Sequence, residues 1–229
     1  LGTVYSIHVK YADLNDDGYP DFCSFSSGYD RQGTTFDYPV ILMSSPDGVY
    51  TDLRFDDWGN FLIHGGEVGD IDNDGDIDVV FLDQGVENSS DKSLLLINDG
   101  KGNFTRMHLS EMVDFSELRN RYPSPEQVAQ HGDLNIIDLN NDGYNDLIFT
   151  GSDTFDSDGS NYFTGPVVFW GNSTGKFGGT NYSLFPKCRL GYSINEDMAF
   201  YDLNGDGIKE IIVQRCGDGQ LGGTQIGRA

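Results

Sequence analysis

The stretch DIDNDGDID at residues 70–78 decides the fold, because variants of it recur along the chain. The variants are DLNDDGYPD at 13–21, DLNNDGYND at 138–146 and DLNGDGIKE at 202–210. Each nonapeptide keeps Asp at its first position, glycine at its sixth and a carboxylate at its ninth. Self-similarity of this kind predicts a repeat architecture, in which each unit is one supersecondary motif that packs on its neighbours.

The residues that flank the acidic nonapeptides predict β-strands. A short strand-like run precedes each one, and a β-rich run comes directly after it, as in DFCSFSS, DVVFLD, DLIFTG and EIIVQR. A variable polar loop, a second apolar strand such as LLLI, a glycine-containing turn and a fourth strand come next. Four strands joined by short turns and repeated predict an all-β fold, a β-propeller of four-stranded antiparallel blades.

The repeats predict about three and a half blades in this chain. The expected limits are about residues 1–57, 58–116, 127–190 and an incomplete 191–229. The predicted helix, SPEQVAQ at 124–130, carries an N-terminal capping pattern. Because an open set of blades leaves sheet faces and edges uncovered, we expect the remaining blades to come from further sequence or from a second copy.

The charge of the chain is concentrated in the nonapeptides. The formal net charge is −23, and the four nonapeptides contain four, five, three and three of the 37 acidic residues, 15 in total. Such clustering indicates local sites that bind a counter-ion, and an acidic balance argues against nucleic acid as a partner. Apolar runs stay far below the ~18 residues that would span a bilayer, so no membrane span is expected.

The three cysteines, Cys23, Cys188 and Cys216, exclude a disulfide framework because they are too few and include no CxxC. Two alternatives stay open, namely a bridge between Cys188 and Cys216 and three buried thiols.

Each nonapeptide has the oxygen pattern of a calcium site. Calcium takes 6 to 8 oxygen ligands from carboxylates and carbonyls on a tightly turned chain. Side chains at positions 1, 3, 5 and 9 and the carbonyl of position 7 converge if glycine at position 6 turns the chain. The predicted ligands are Asp13, Asn15, Asp17, Tyr19, Asp21, Asp70, Asp72, Asp74, Asp76, Asp78, Asp138, Asn140, Asp142, Tyr144, Asp146, Asp202, Asn204, Asp206, Ile208 and Glu210. The prediction is therefore up to four Ca²⁺ ions, and the alternative is four ordinary acidic turns.

An EF-hand is excluded by the residues that come after each nonapeptide. An EF-hand loop needs a bidentate Glu at position 12 and flanking helices. Position 12 is occupied here by Ser24, Phe81, Phe149 and Val213, and the flanking segments are strands.

The loops, the strand after each of them and LLLINDGKGNFT at 94–105 together resemble the FG-GAP/VCBS repeats of calcium-binding β-propellers. That family includes the integrin α-subunit head, but the Phe-Gly…Gly-Ala-Pro run is represented only by KFGG at 176–179. The chain is therefore more similar to the VCBS form of secreted bacterial proteins. The resemblance implies that the metal loops lie on the face opposite the usual ligand-binding face.

The other face of such a propeller is formed by the loops between the second and third strands and by those between repeats. These are variable here and include SDTFDSDGSNYFTG at 152–165 and a long insertion at 110–132. Variable loops on a rigid scaffold commonly carry binding residues. The candidate ligand-binding residues are Tyr29, Arg31, Trp58, Tyr122, Phe155 and Tyr162. The alternative is that these aromatic side chains fill gaps between blades.

The predicted function is that of an extracellular, calcium-stabilised binding or adhesion module for carbohydrate or protein ligands. Secretion or a cell-surface location is expected, with the periplasm as an alternative, because calcium is plentiful there. No Ser/His/Asp order, P-loop or HExxH motif is visible, and no catalytic residue is assigned. The alternative is the propeller of a secreted polysaccharide lyase or glycoside hydrolase, since the resemblance extends to propeller-shaped lyases with similar loops.

Overall fold

The computed structural model describes residues 6–26, 39–55, 63–83, 93–118, 134–150, 153–155, 161–163, 166–184, 193–217 and 223–228. The chain divides into two compact units, Leu1–Met112 and Val113–Ala229.

The first unit contains two four-stranded antiparallel sheets, in which the strands lie side by side in chain order. The first sheet consists of β1 (Ser6–Ala12), β2 (Asp21–Ser26), β3 (Val40–Met43) and β4 (Thr51–Arg54). The second sheet consists of β5 (Ile63–Gly69), β6 (Asp78–Asp83), β7 (Leu94–Asn98) and β8 (Phe104–His108), and the one-turn helix α1 (Leu109–Met112) comes after it.

The second unit contains the corresponding third and fourth sheets and two small strand pairs. Its strands are β9 (Val113–Asp114), β10 (Leu134–Ile137), β11 (Asp146–Phe149), β12 (Asp153–Phe155), β13 (Asn161–Phe163), β14 (Val167–Phe169), β15 (Phe177–Gly178), β16 (Tyr182–Leu184), β17 (Ser193–Tyr201), β18 (Glu210–Gly217) and β19 (Gly223–Arg228). The third sheet has the order β10-β11-β14-β16, and the fourth has the order β17-β18-β19. The hairpin β12-β13 lies within the loop between the second and third strands of the third sheet.

These sheets confirm the all-β class, and the first three of them confirm the four-stranded antiparallel unit. Together with the three-stranded fourth sheet they are consistent with the blades of a partial β-propeller. In every sheet of the four the acidic nonapeptide connects the first strand to the second. The exact limits proposed for the repeats stay predictions, and the helix expected at 124–130 lies outside the described residues. None of the described helices has the length and apolar character that crossing a membrane requires.

Three inner strands of the sheets, β6, β11 and β14, are buried along their whole length. Every residue of β6 and of β14 is buried, whereas the edge strand β8 alternates between exposed and half-buried residues. Strands covered on both faces read as continuous apolar runs, which explains sequences such as VVFL and VVF. In the first unit the two sheets share one core, in which the rings of Phe25 and Phe81 lie 5.0 Å apart. In the second unit Leu139, Ile148 and Val168 pack with Met198 and Ile211.

A glycine lets the two sheets of the first unit approach closely. A Cβ atom at Gly66 would lie 2.2 Å from Cε1 of Phe25 and 2.3 Å from the carbonyl oxygen of Val80. No larger residue fits there without displacing main chain, because real Cβ contacts are never that short. Gly66 therefore fixes how the first strand of the second sheet meets the core aromatic of the first sheet.

Residues 113–118 differ from the expectation of a variable loop. Val113 and Asp114 form β9, which pairs in parallel with Phe177 and Gly178 of β15. Phe115 is buried with its ring edge-on to Phe169, at a centroid distance of 5.4 Å, and Leu118 is buried as well. The apolar residues of this segment are covered by the third sheet because that removes their surface from water. The start of the insertion is therefore part of the core of the second unit.

Candidate metal centre

The first residue of each nonapeptide fixes the main chain of the loop. In the loop at 70–78, Asp70 Oδ1 accepts the N–H of Asp74 at 3.1 Å, and Asp70 Oδ2 accepts that of Gly75 at 3.0 Å. The same two bonds, from positions 5 and 6 to the carboxylate at position 1, occur in the other three loops. A carboxylate that accepts two N–H groups closes the turn, and the turn brings the other side chains together.

Two positions of each loop adopt a positive φ. In the loop at 70–78 they are Asn73 at 63° and Gly75 at 98°. The corresponding pairs are Asp16 and Gly18, Asn141 and Gly143, and Gly205 and Gly207. The role of glycine at position 6 was predicted from the sequence, but that of position 4 was missed. The signal was present, because Asp, Asn and Gly are the residues that tolerate the left-handed region best.

Positions 3 and 5 each place one side-chain oxygen on the main chain further along the loop. Asp72 Oδ1 accepts the N–H of Asp74 at 3.3 Å, and Asp74 Oδ1 accepts the N–H of Asp76 at 2.9 Å. Where position 3 is Asn, its amide nitrogen also approaches a neighbouring carboxylate, as in Asn15 to Asp17 at 3.2 Å and Asn140 to Asp142 at 3.0 Å. The loops with Asn therefore offset part of their own charge internally, and the loop at 70–78 does not.

The ninth residue ties its loop to the third strand of the same sheet. Asp78 Oδ2 accepts the N–H of Ile71 at 2.9 Å, and Asp78 Oδ1 accepts the N–H of Asn98 at 2.8 Å. Asp21 makes the same pair of bonds with Leu14 and Ser44, and Asp146 makes it with Leu139 and Gly171. All three carboxylates are fully buried. The sequence did not reveal the donor from the third strand, which lies about 20 residues away.

The loop at 202–210 departs from this arrangement. Glu210 Oε2 accepts the N–H of Leu203 at 2.8 Å, but Glu210 Oε1 accepts the side-chain amide of Asn204 at 2.8 Å. The longer side chain thus satisfies its second oxygen inside the loop. Leu203 is 50% exposed, whereas Leu14, Ile71 and Leu139 at the same position are fully buried.

The loop at 70–78 concentrates the most negative charge. One ligand oxygen each from Asp70, Asp72 and Asp78 lie within 4.8 Å of one another. Burial raises the pKa of Asp78 to about 7, against the N–H bonds from Asn98 and Ile71, which lower it. Burial and the charge of Asp74 also raise the pKa of Asp72. Burial is thus the main reason why these carboxylates resist ionisation, and the neighbouring carboxylates add to it.

The pKa shifts of carboxylates in two other loops have opposite directions. Burial raises the pKa of Asp146, whereas the N–H bond from Gly207 is the main cause that lowers the pKa of Asp202. Burial therefore dominates at position 9 of the loops at 70–78 and 138–146, and main-chain N–H bonds dominate at position 1 of the loop at 202–210.

The donor set fits a hard divalent cation. Its ligands are carboxylate, amide and carbonyl oxygens, with no nitrogen or sulfur, and such sets select Ca²⁺ or Mg²⁺ over zinc or copper. The described geometry brings together Asp70, Asp72 and Asp78 and places Asp74 beside them. In each loop the N–H of position 7 donates to the carboxylate of position 5, at 2.9 to 3.0 Å. The backbone at position 7, whose carbonyl is the predicted ligand, is thereby fixed.

Neighbouring loops are connected within each unit, through Asn98 of β7 in the first unit and directly in the second. In the first unit, the amide nitrogen of Asn98 donates to the carbonyl oxygen of Leu14 at 2.7 Å. In the second unit, Lys209 Nζ donates to the carbonyl oxygen of Asp138 at 2.7 Å, and the amide nitrogen of Asn141 donates to the carbonyl oxygen of Gly207. The loops at 13–21 and 70–78 thus form one pair, and those at 138–146 and 202–210 form another.

The candidate ligand-binding residues fall mostly outside the described part of the chain, where Tyr29, Arg31, Trp58 and Tyr122 lie. Phe155 and Tyr162 lie on the paired strands β12 and β13, where Thr154 is the partner of Tyr162 and Asn161 that of Phe155.

Among the cysteines, Cys23 is a buried free thiol whose pKa is raised by burial. Its burial agrees with the alternative of a buried thiol at this position.

Comparisons with known proteins agree with the fold. Residues 138–213 match the family model described as FG-GAP-like repeat. The search of curated proteins found no match. Among solved structures, the chain is similar to a lectin of Agrocybe aegerita described as recognising non-reducing terminal N-acetylglucosamine, with a TM-score of 0.53 and 19% sequence identity.

That similarity covers 94% of this chain and 50% of the lectin chain, so this chain spans about half the length of the solved structure. At that identity the likeness concerns the fold. The match at 138–213 contains the third and fourth acidic loops in full, and it supports the resemblance to the FG-GAP/VCBS repeats.

Proposed function

We propose that this chain is a calcium-stabilised β-propeller module that binds carbohydrate or protein ligands outside the cell. The observation that carries the proposal is the hydrogen-bond frame shared by the four acidic loops. In the loop at 70–78 one oxygen each from three carboxylates lie within 4.8 Å of one another. An arrangement of this kind is costly without a cation, because the carboxylates repel each other.

The ions would be held by the side chains at positions 1, 3, 5 and 9 and by the carbonyl at position 7. Bound calcium supplies positive charge that offsets the repulsion of the carboxylates. The residues themselves hold the loop between the first and second strands and, through position 9, tie that loop to the third strand. In this proposal the ions stabilise the sheets and do not take part in chemistry.

The extracellular location rests on the same sites. Extracellular calcium modules bind with dissociation constants of about 10⁻⁴ to 10⁻³ M, which suits millimolar calcium outside cells. An ion at roughly ten times its dissociation constant adds about 1.4 kcal/mol per independent site. Four occupied sites would then add on the order of 5 kcal/mol, which is comparable to the ~5 to 15 kcal/mol stability of a typical domain.

A calorimetric measurement of thermal unfolding tests this proposal. We expect the full chain to unfold at a clearly higher temperature in millimolar calcium than in excess EDTA, with magnesium giving a smaller effect. The matched control is the quadruple variant Asp17→Ala, Asp74→Ala, Asp142→Ala and Asp206→Ala, whose midpoint should not respond to calcium. An unchanged midpoint in the unmodified chain would show that the loops are ordinary acidic turns.

A glycan is the ligand that the comparisons support best. The lectin with a similar fold is described as recognising terminal N-acetylglucosamine, and this chain carries aromatic and polar residues in its variable loops. Aromatic rings offer faces to sugars, and Asp and Asn bind their hydroxyls. The first probe is N-acetylglucosamine-terminated oligosaccharide on a glycan array, with and without calcium. Binding that disappears in Trp58→Ala and Tyr162→Ala, while the fold remains, supports the assignment; binding that both variants retain overturns those residues as contacts.

The second candidate is the propeller of a secreted polysaccharide lyase or glycoside hydrolase. It is supported only by the resemblance of the loops to those of propeller-shaped lyases. Incubation with acidic polysaccharides separates the two functions. Release of unsaturated products that absorb in the near ultraviolet, or of new reducing ends, would favour the enzyme, and binding without turnover would favour the module.

A further inference from the structure

Asn98 connects the two acidic loops of the first unit. It lies at the end of β7, is 3% exposed and satisfies its side chain with main-chain groups. Its amide nitrogen donates to the carbonyl oxygen of Leu14 at 2.7 Å and to that of Ile77 at 2.9 Å. Its amide oxygen accepts the N–H of Gly102 at 3.2 Å. Leu14 belongs to the loop at 13–21 and Ile77 to the loop at 70–78, so one buried amide holds both.

These bonds form a continuous path between the two buried carboxylates at position 9. Asp21 accepts the N–H of Leu14, whose carbonyl accepts the amide of Asn98. The main-chain N–H of Asn98 in turn donates to Asp78 at 2.8 Å. Breaking one of these buried hydrogen bonds would destabilise the fold, because the donor or acceptor would be left without a partner. When either carboxylate shifts, its hydrogen-bonded neighbours therefore shift with it, as far as the other loop.

The equivalent residues of two other sheets cannot make this connection. Ser44 and Gly171 also donate their main-chain N–H groups to the carboxylate at position 9 of their own loops. The Oγ atom of Ser44 is buried without a partner, and Gly171 has no side chain. The connection is therefore a property of the Asn side chain at this one position and is not shared by the repeats whose equivalent residue is described.

We propose that Asn98 couples ion binding at the loops 13–21 and 70–78, so that an ion in one loop strengthens binding in the other. The inference rests on the proposed calcium sites. An ion that orders one loop also fixes the side chain of Asn98. Asn98 in turn fixes the main chain of the second loop, so the second ion binds with a smaller loss of conformational entropy. Asn98 is a positioning residue in this scheme, since it contacts neither ion.

Charge repulsion between the two ions acts in the opposite direction. Its contribution is screened by salt and is the same whether or not Asn98 is present. A comparison of chains with and without the amide therefore isolates the connection from the electrostatic background.

The test is a double-mutant cycle on the full chain, with calorimetric titration of each variant with calcium. Asp142→Ala and Asp206→Ala silence the loops of the second unit throughout, and Asp72→Ala silences the loop at 70–78. With Asn98 in place, Asp72→Ala should weaken calcium binding at 13–21 at least about 5-fold, the lower end of typical coupling between sites. In Asn98→Ser, which keeps the N–H bond to Asp78, the same change should weaken it less than about 2-fold.

The matched control is Asn172→Ser, because the amide of Asn172 donates to the carbonyl oxygen of Lys176 within the equivalent turn of the third sheet, at 2.7 Å. That variant should leave the coupling unchanged. Equal coupling in the Asn98→Ser chain, or no coupling with Asn98 in place, would overturn the inference while calcium binding itself stands. If the unmodified chain takes up no calcium at all, the proposed function fails and this inference fails with it. If Asn98→Ser does not fold, the same cycle is measured on Asn98→Asp. Coupling that is present with Asn98 and lost in Asn98→Asp supports the inference, and equal coupling in both overturns it.

Discussion

The loops at 70–78 and 202–210 share one main-chain frame but handle their charge in different ways. Both use a carboxylate at position 1 to bind the N–H groups of positions 5 and 6. At position 9 of the first loop, burial raises the pKa of Asp78 to about 7, whereas at position 9 of the second loop Glu210 accepts the side-chain amide of Asn204 at 2.8 Å.

The difference lies in positions 3 and 9. Position 3 is Asp72 in one loop and Asn204 in the other, and position 9 is Asp78 in one and the longer Glu210 in the other, both of them buried. Asn204 donates to Glu210, so the second loop supplies a positive partial charge from its own amide. The frame is thus set by positions 1, 4 and 6, and we expect positions 3 and 9 to set how strongly each loop depends on a cation. Substitutions at these positions test that division.

The largest expected effect is that of removing the carboxylate of Asp78. Asp78→Ala leaves the buried N–H groups of Ile71 and Asn98 without an acceptor, at about 1 to 3 kcal/mol each, so we expect a loss of about 2 to 6 kcal/mol in calcium. Glu210→Ala should cost about 1 kcal/mol, because Leu203 is half exposed and water can bind its N–H. Urea unfolding in saturating calcium measures both. Equal losses would show that position 9 acts alike in the two loops.

The next effect concerns the ion itself. Asp74→Ala should remove more of the calcium-dependent stability than Asp142→Ala or Asp206→Ala, because the loop at 70–78 has four carboxylates among its predicted ligand side chains and the other loops have three. The expected loss is about 1.4 kcal/mol or more for Asp74→Ala when calcium is at about ten times the dissociation constant. Unfolding with and without EDTA gives the calcium-dependent part for each variant, and a reversed order would contradict the ranking.

The pH dependence of the calcium-free chain should follow the loop at 70–78. The pKa of Asp78 is about 7 when folded and about 4 when unfolded, so the folded chain binds an extra proton between these values. The contribution of this group to stability is therefore present at low pH and is lost as pH rises from about 4 to 7. In EDTA, the unfolding midpoint should rise as pH is lowered from about 7.5 to about 5.5.

Two controls separate this effect from general acid titration. In Asp78→Asn the rise should be smaller, because that group no longer titrates. In millimolar calcium the trend should reverse, since the ion binds the ionised carboxylate and protons compete with it. A rise of equal size in Asp78→Asn would assign the pH dependence to other carboxylates.

The smallest effect is expected at the connection between the loops of the second unit. Lys209→Met removes the ammonium group that donates to Asp138 but keeps most of the apolar length of the side chain. Because the contact is partly exposed, we expect a loss of about 1 kcal/mol, with calcium binding at 138–146 retained. Lys176→Met, on an exposed turn of the same unit, is the control. A loss larger than that of Asp78→Ala would mean that the ammonium group of Lys209 stabilises the loop at 138–146 in place of a metal ion.

The loops could be predicted from the sequence because their candidate ligands and their turn lie within nine consecutive residues. The four-stranded sheets could be predicted from the same local order of apolar runs and turns. The N–H donor from the third strand and the Asn98 amide could not be predicted, because both depend on how distant strands approach in space. The burial of Val113, Phe115 and Leu118 was missed for the same reason, since Phe115 meets Phe149 and Phe169 only after the third sheet has formed. The candidate glycan contacts stay predictions.

The parallel pair of β9 and β15 has a consequence for how the chain folds. Within the described sheets, neighbouring strands lie close to one another along the chain, so most contacts form locally and rapidly. The pairing of Val113 with Phe177 instead closes a long segment that includes nearly all of the third sheet. Closing such a loop costs entropy before the contact forms, so this pair should assemble late and set the refolding rate of the second unit.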